Sequence, residues 1–200
     1  MKNVIRTMAI ASLVTGLVGA AAHAAAPPAA PAKGAFQRDL LGVYSDAEKK
    51  VLDLEAAVPQ NKFDWRPAPG VRSIAEAYLH IAFGNYGLIK MATGKEPPAE
   101  AGWEMNPTKW DKKTTDKSEI KKILERSFAH VHEVIGALPD ADLDKMVNLF
   151  GHEVTARSAL IILVGHLNEH LGQSVAYARA NKVTPPWSKD ESAHHMPDKK

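Results

Sequence analysis

The sequence contains no cysteine. That absence removes disulfides, thiolate metal ligands, a cysteine nucleophile and a lipid-acceptor cysteine behind a leader. A metal site in this chain has to be built from nitrogen and oxygen. Long apolar runs are also missing. The stretch from Met8 to Ala22 is shorter than the ~20 residues a membrane span needs, and no later segment approaches that length without charges.

An excess of either charge is lacking as well. If Lys2 and Arg6 leave with a leader, 25 basic residues become 23, against 23 acidic ones. The Lys-rich stretch from Lys109 to Lys122 is broken by Asp111, Asp116 and Glu119. It reads as a solvated mixed-charge surface rather than a phosphate-binding patch, which argues against nucleic acid as a partner.

What is present begins with the N-terminus. Lys2 and Arg6, the apolar run and the small residues before Pro27 have the order of a secretory signal peptide over residues 1–26. The mature chain, starting at Ala25 or Pro27, is expected in the periplasm or the medium, with no membrane attachment after signal removal. Residues 27–35 are Ala, Pro, Lys and Gly with little to bury, a flexible lead-in, and residues 188–200 read as a disordered polar tail. Between them, residues 36–187 suit one domain.

Four helices account for that domain. Leu40, Tyr44, Ala47, Val51, Leu54 and Val58 recur at steps of four and three until Pro59. Ser73-Ile74-Ala75-Glu76 spells a capping box, and Ile74, Ala77, Tyr78, Ile81, Asn85 and Leu88 continue from it towards Gly94. Asp116 to Glu119 is a second capping signature, followed by Ile120, Leu124, Ser127, Val131, Ile135 and Leu138. Thr155 opens the fourth helix on Leu160, Val164, Leu167, Leu171, Val175 and Ala178. The loop with Trp103, Pro107 and Trp110 and the connector "MVNLFGHEV" carry no regular pattern, and no strand is expected. The fold class is all-α, a four-helix bundle.

On the fourth helix His166 and His170 stand one turn apart. With Leu167 as the centre of the buried stripe, they fall about 100° and 60° from it, on one shoulder. Two imidazoles so spaced converge on one cation but supply only half a site. On the second helix His80 is flanked by apolar residues, with Gly84 and Gly87 at i+4 and i+7. Each glycine costs a helix about 1 kcal/mol relative to alanine, so a cavity beside His80 and close helix packing are the two readings of the pair. Each histidine also has a blander reading, a side chain on a helix shoulder with a local hydrogen bond. His130 and His132 point to different faces, His152 reads as a turn residue, and His194 and His195 lie in the tail. Glu76, one turn before His80, is already the capping-box acid, and Glu169 reads as a surface charge.

The sequence resembles the DinB-like (YfiT-like) metalloenzyme family from about Phe36 to Trp187. The resemblance rests on Trp65-Arg66-Pro67-Ala68-Pro69-Gly70 leading to Ser73 and His80, and on "HLNEHLGQSVAYARANKVTPPW" from His166 to Trp187. It implies an up-down-down-up bundle holding a divalent metal on His80, His166 and His170. Zinc, nickel and iron all suit imidazole. It is similar in fold and site to thiol-dependent transferases and a thiol-dependent isomerase, although the leader sets this chain apart from cytoplasmic members that meet such thiols. The functions that follow are a metal-dependent hydrolase or group transferase on a small molecule, or a non-catalytic metal- or ligand-binding bundle. Family bundles often pair into homodimers, and Trp103 and Trp110 in the long loop are expected to cover an apolar patch.

Overall fold

The computed structural model describes residues 34–188; the expected signal peptide, most of the expected lead-in and nearly all of the expected polar tail lie outside the described residues. The first apolar stripe winds into α1, Ala35–Ala57, burying Leu40, Tyr44, Ala47, Val51 and Leu54. α2, Ile74–Thr93, starts at the expected capping box and ends at Gly94 in the left-handed conformation, φ 73°. Ser73 Oγ accepts from the Glu76 amide at 3.2 Å while Glu76 accepts from the Ser73 amide at 2.8 Å, so two otherwise unpaired first-turn donors are satisfied. A one-turn helix α3, Pro107–Trp110, interrupts the long loop. Then come α4, Lys117–Gly136, capped by Asp116, and α5, Ala156–Ala180, capped by Thr155. No described helix is long and apolar enough to cross a membrane.

The four long helices form an up-down-down-up bundle, and specific contacts give their directions. The amide of Gly34, at the start of α1, donates to Asp140 just past α4, while Lys117 at the start of α4 donates to the Ala56 carbonyl at the end of α1, so these two run antiparallel. Asn85–Ser127 and Tyr86–His130 contacts keep α2 and α4 in step and parallel. Arg157 stacks over Phe36, which aligns the starts of α5 and α1. Inside, Tyr44 donates to Asn85 at 2.7 Å, and Asn85 donates to Ser127 at 3.0 Å. These polar members of apolar stripes satisfy one another across α1, α2 and α4 and fix the helix register.

One expectation needs correction. "MVNLFGHEV" is a β-hairpin, β1 (Met146–Leu149) and β2 (His152–Thr155), paired antiparallel with Leu149 opposite His152. Its two-residue turn has positive φ at both positions, 52° at Phe150 and 90° at Gly151, which matches the twist of a hairpin. Trp110 of the long loop is a core residue at 4% exposure, and its indole donates to the Leu79 carbonyl at 2.9 Å. The long loop thus covers a face of α2 that α4 and α5 leave open. That is why α2 is apolar nearly all round, with His80 a half-buried interruption.

Candidate metal centre

α2 and α5 pack against each other and bring His80, His166 and His170 together, with one ligand atom from each within 4.8 Å of the others. Ring centroids are 5.4 Å apart for His80–His166, 4.9 Å for His80–His170 and 4.6 Å for His166–His170. His170 is buried, and the other two are half-buried. The buried side of α5 is turned further towards the histidines than the Leu167-centred stripe implies. It runs through Leu163, Leu167, His170 and Ser174, and leaves Val164 and Val175 half-buried.

Gly84 explains where His166 goes. A Cβ at Gly84 would stand 2.1 Å from Cε1 of His166, so the imidazole occupies the space a side chain would take. Gly87 instead faces Trp103, with 3.3 Å from an added Cβ to Cζ2. Both readings of the glycine pair hold: backbone and ring pack closely, and the space beyond is a cavity of about 610 Å³ whose wall includes both glycines, His80 and His166.

The outer nitrogens of two of these histidines are already committed. His80 Nδ1 donates to Asp111 Oδ1 at 3.1 Å, and Arg72 Nε donates to Asp111 Oδ2 at 2.8 Å. His170 Nδ1 donates to Gln173 Oε1 at 2.8 Å, and Gln173 Nε2 donates to Tyr177 Oη at 2.9 Å. A proton held on Nδ1 leaves Nε2 with a free lone pair, the ligand tautomer. Asp111 went unrecognised in the sequence. It lies in a lysine-rich stretch, and its role depends on Trp110 entering the core and carrying the next residue to His80. Glu76 has other work: Arg66 grips both its oxygens at 3.0 Å, which with the Ser73 amide outweighs burial and lowers its pKa. The Trp65-Arg66 motif therefore braces the start of α2, with Trp65 edge-on to Tyr177 at 5.5 Å.

Burial, with the neighbouring His170 and His80, pushes the His166 pKa from 6.5 to about 3. Burial also lowers that of His170, against the opposing pull of Gln173. Both rings are neutral at physiological pH, as a metal ligand must be. Nδ1 of His166 is buried without a hydrogen-bond partner among the described residues. Neutral, converging imidazoles with an orphaned nitrogen fit a divalent ion.

The remaining histidines lie elsewhere. His130 is buried against Tyr86 with its ring centroid 5.5 Å away, His132 bonds Glu48 on α1, and His152 is an exposed residue of β2. His194 and His195 lie outside the described residues. Glu169 is exposed as expected, yet it lines the cavity beside His166.

Fold and cluster define a helical bundle with a three-histidine group that could hold a metal ion. The chain belongs to the DinB superfamily, whose sequence profile matches residues 44–174. A DinB-like protein from Bacillus cereus is similar in structure, with a TM-score of 0.61 and 18% identity, over 74% of this chain and 95% of that one. A conserved protein from Enterococcus faecalis gives 0.60 and 17%, over 72% and 95%. A DinB-like protein from Bacillus subtilis gives 0.57 and 17%, over 73% and 93%. At such identities the likeness concerns the fold. No curated protein matches the chain.

Proposed function

We propose that this protein is an exported metal-dependent enzyme, a hydrolase or group transferase acting on a small molecule, with His80, His166 and His170 as metal ligands. The observation that carries the reading is the convergence of three imidazoles beside a cavity of about 610 Å³. Three neutral ligands leave coordination positions free, and the cavity gives a small molecule room to reach them. A divalent ion there supplies Lewis acidity and lowers the pKa of water.

The chain's own residues do the rest. Asp111 and Gln173 hold the Nδ1 protons of His80 and His170 and so set both rings. Phe83, Leu88 and Met91 exclude bulk water from one side of the site. Glu169 is the one carboxylate among the described residues of the cavity wall and serves as the candidate proton acceptor. Export agrees with the choice of ligands, because a site without thiolates is indifferent to an oxidising compartment.

The test is metal loading. Apo-protein dialysed against Zn(II), Ni(II) or Fe(II) should retain about one equivalent. His80→Ala, His166→Ala and His170→Ala should each lose it while keeping the helical circular dichroism, and His132→Ala should not. Full retention by the His166→Ala, His170→Ala double variant would overturn the assignment.

A further inference from the structure

Two cavities approach the histidines, and their chemistry differs. One, of about 660 Å³, is lined by Arg66, Arg72 and Lys112 among others and reaches Asp111 and Gln173, behind the ligands. The other, of about 610 Å³, is the one that His80 and His166 themselves face. Its wall carries Phe83, Leu88, Met91 and Ile162, and among its described residues the only formally charged side chain is Glu169. Phe83 stacks on His80, with ring centroids 5.7 Å apart and planes 16° from parallel, so the apolar surface begins at the ligand ring. At the mouth stand Met105, Phe150 and Ile162, exposed to 56%, 70% and 43%. Three large apolar side chains held in water around one opening are costly unless something covers them.

We propose that the molecule bound beside the histidines has one metal-binding group at its end and an apolar body that carries no negative charge. This rests on the metal reading above and adds the class of substrate. An anionic group on that body, away from the divalent ion, would meet no lysine or arginine of the cavity wall, and its desolvation would go uncompensated. An aliphatic or aromatic body loses water against Phe83, Leu88, Met91 and Ile162 instead. Each buried methylene contributes ~0.8 kcal/mol, which is about fourfold in affinity.

The test uses Co(II)-loaded protein and straight-chain alkyl hydroxamic acids from acetyl to octanoyl, which share one head that binds the metal as the hydroxamate anion and differ only in the chain. Affinity is read from the visible spectrum of cobalt. Affinity should rise about fourfold per methylene until the cavity is filled, and a terminal carboxylate on the chain should cancel most of the gain. Ile162→Asp, on a half-open helix face, should flatten the series while cobalt loading and helicity persist. Binding of every hydroxamate with equal affinity would overturn the substrate class and leave the metal reading standing. A chain-length series unchanged by Ile162→Asp would place the chains elsewhere and overturn it as well. Failure to retain cobalt would remove the metal reading, and this proposal with it.

Discussion

Gly84 on α2 lies beneath the imidazole of His166 on α5, so close that a methyl group at Gly84 would meet Cε1 at 2.1 Å. The glycine weakens the helix in order to seat a ring. Gly84→Ala should therefore separate stability from binding. The gain in helix propensity, up to about 1 kcal/mol, offsets the swing of one side chain, leaving the apo-protein melting temperature nearly unchanged. Metal affinity should fall at least tenfold as His166 is pushed aside. Unchanged affinity by isothermal titration would show that His166 is not a ligand.

Asp111 holds His80 from the opposite side. Asp111→Ala should lower metal affinity by about 10–100-fold, the usual cost of losing a carboxylate behind a ligand histidine. Asp111→Asn should lose less, because its amide oxygen still accepts from Nδ1. Equal losses in the two variants would point to the Arg72 ion pair as the important contact.

Acid should unfold the metal-free protein early. His130 is buried, and burial depresses its pKa below the usual value near 6.5; His166, pushed to about 3, and His170 are shifted the same way. The unfolded chain takes up these protons near pH 6.5 and the folded chain only at lower pH, so between the two the unfolded state binds more protons. Stability is full above about pH 6.5 and declines as pH falls below it. Urea midpoints from pH 8 to pH 4 check the slope, and His130→Leu should reduce it. A stability flat across this range would contradict neutral burial of the three rings.

Phe150 sits at the hairpin tip with φ 52°, a conformation that costs a non-glycine residue roughly 1–2 kcal/mol. Phe150→Asn places the favoured turn pair Asn-Gly there and should raise stability by about 0.5–1 kcal/mol. A lower melting temperature would mean that the exposed ring contributes more through packing than its backbone costs.

For export, intact-mass measurement of the periplasmic fraction should find an N-terminus at Ala25 or Pro27. Recovery of the chain with Met1 to Ala24 still attached would remove the export proposal.

The parts legible in the sequence were those with a short-range cause. Apolar steps of three and four located each long helix, Ser73 and Glu76 marked the start of α2, and the spacing of His166 and His170 marked their shared face. Asp111 was illegible because it reaches His80 only through the insertion of Trp110, a tertiary event. The hairpin escaped notice because each strand has four residues and the turn is Phe-Gly, without the usual asparagine. The centre of the α5 stripe was displaced because periodicity treats histidine as polar, whereas His170 is buried beside leucines.

The hairpin also has a part in how this site can change over time. α4 and α5 stand on opposite corners of the bundle, so the chain must cross an end of it, and β1 does so packed against α2. The strand pair that completes the topology thereby brings Phe150 to the mouth of the histidine cavity. None of the three histidines lies on it. Lengthening or re-sequencing its tip changes the mouth of the cavity without moving any of the three histidines, so the entrance and the cluster can vary on separate pieces of chain.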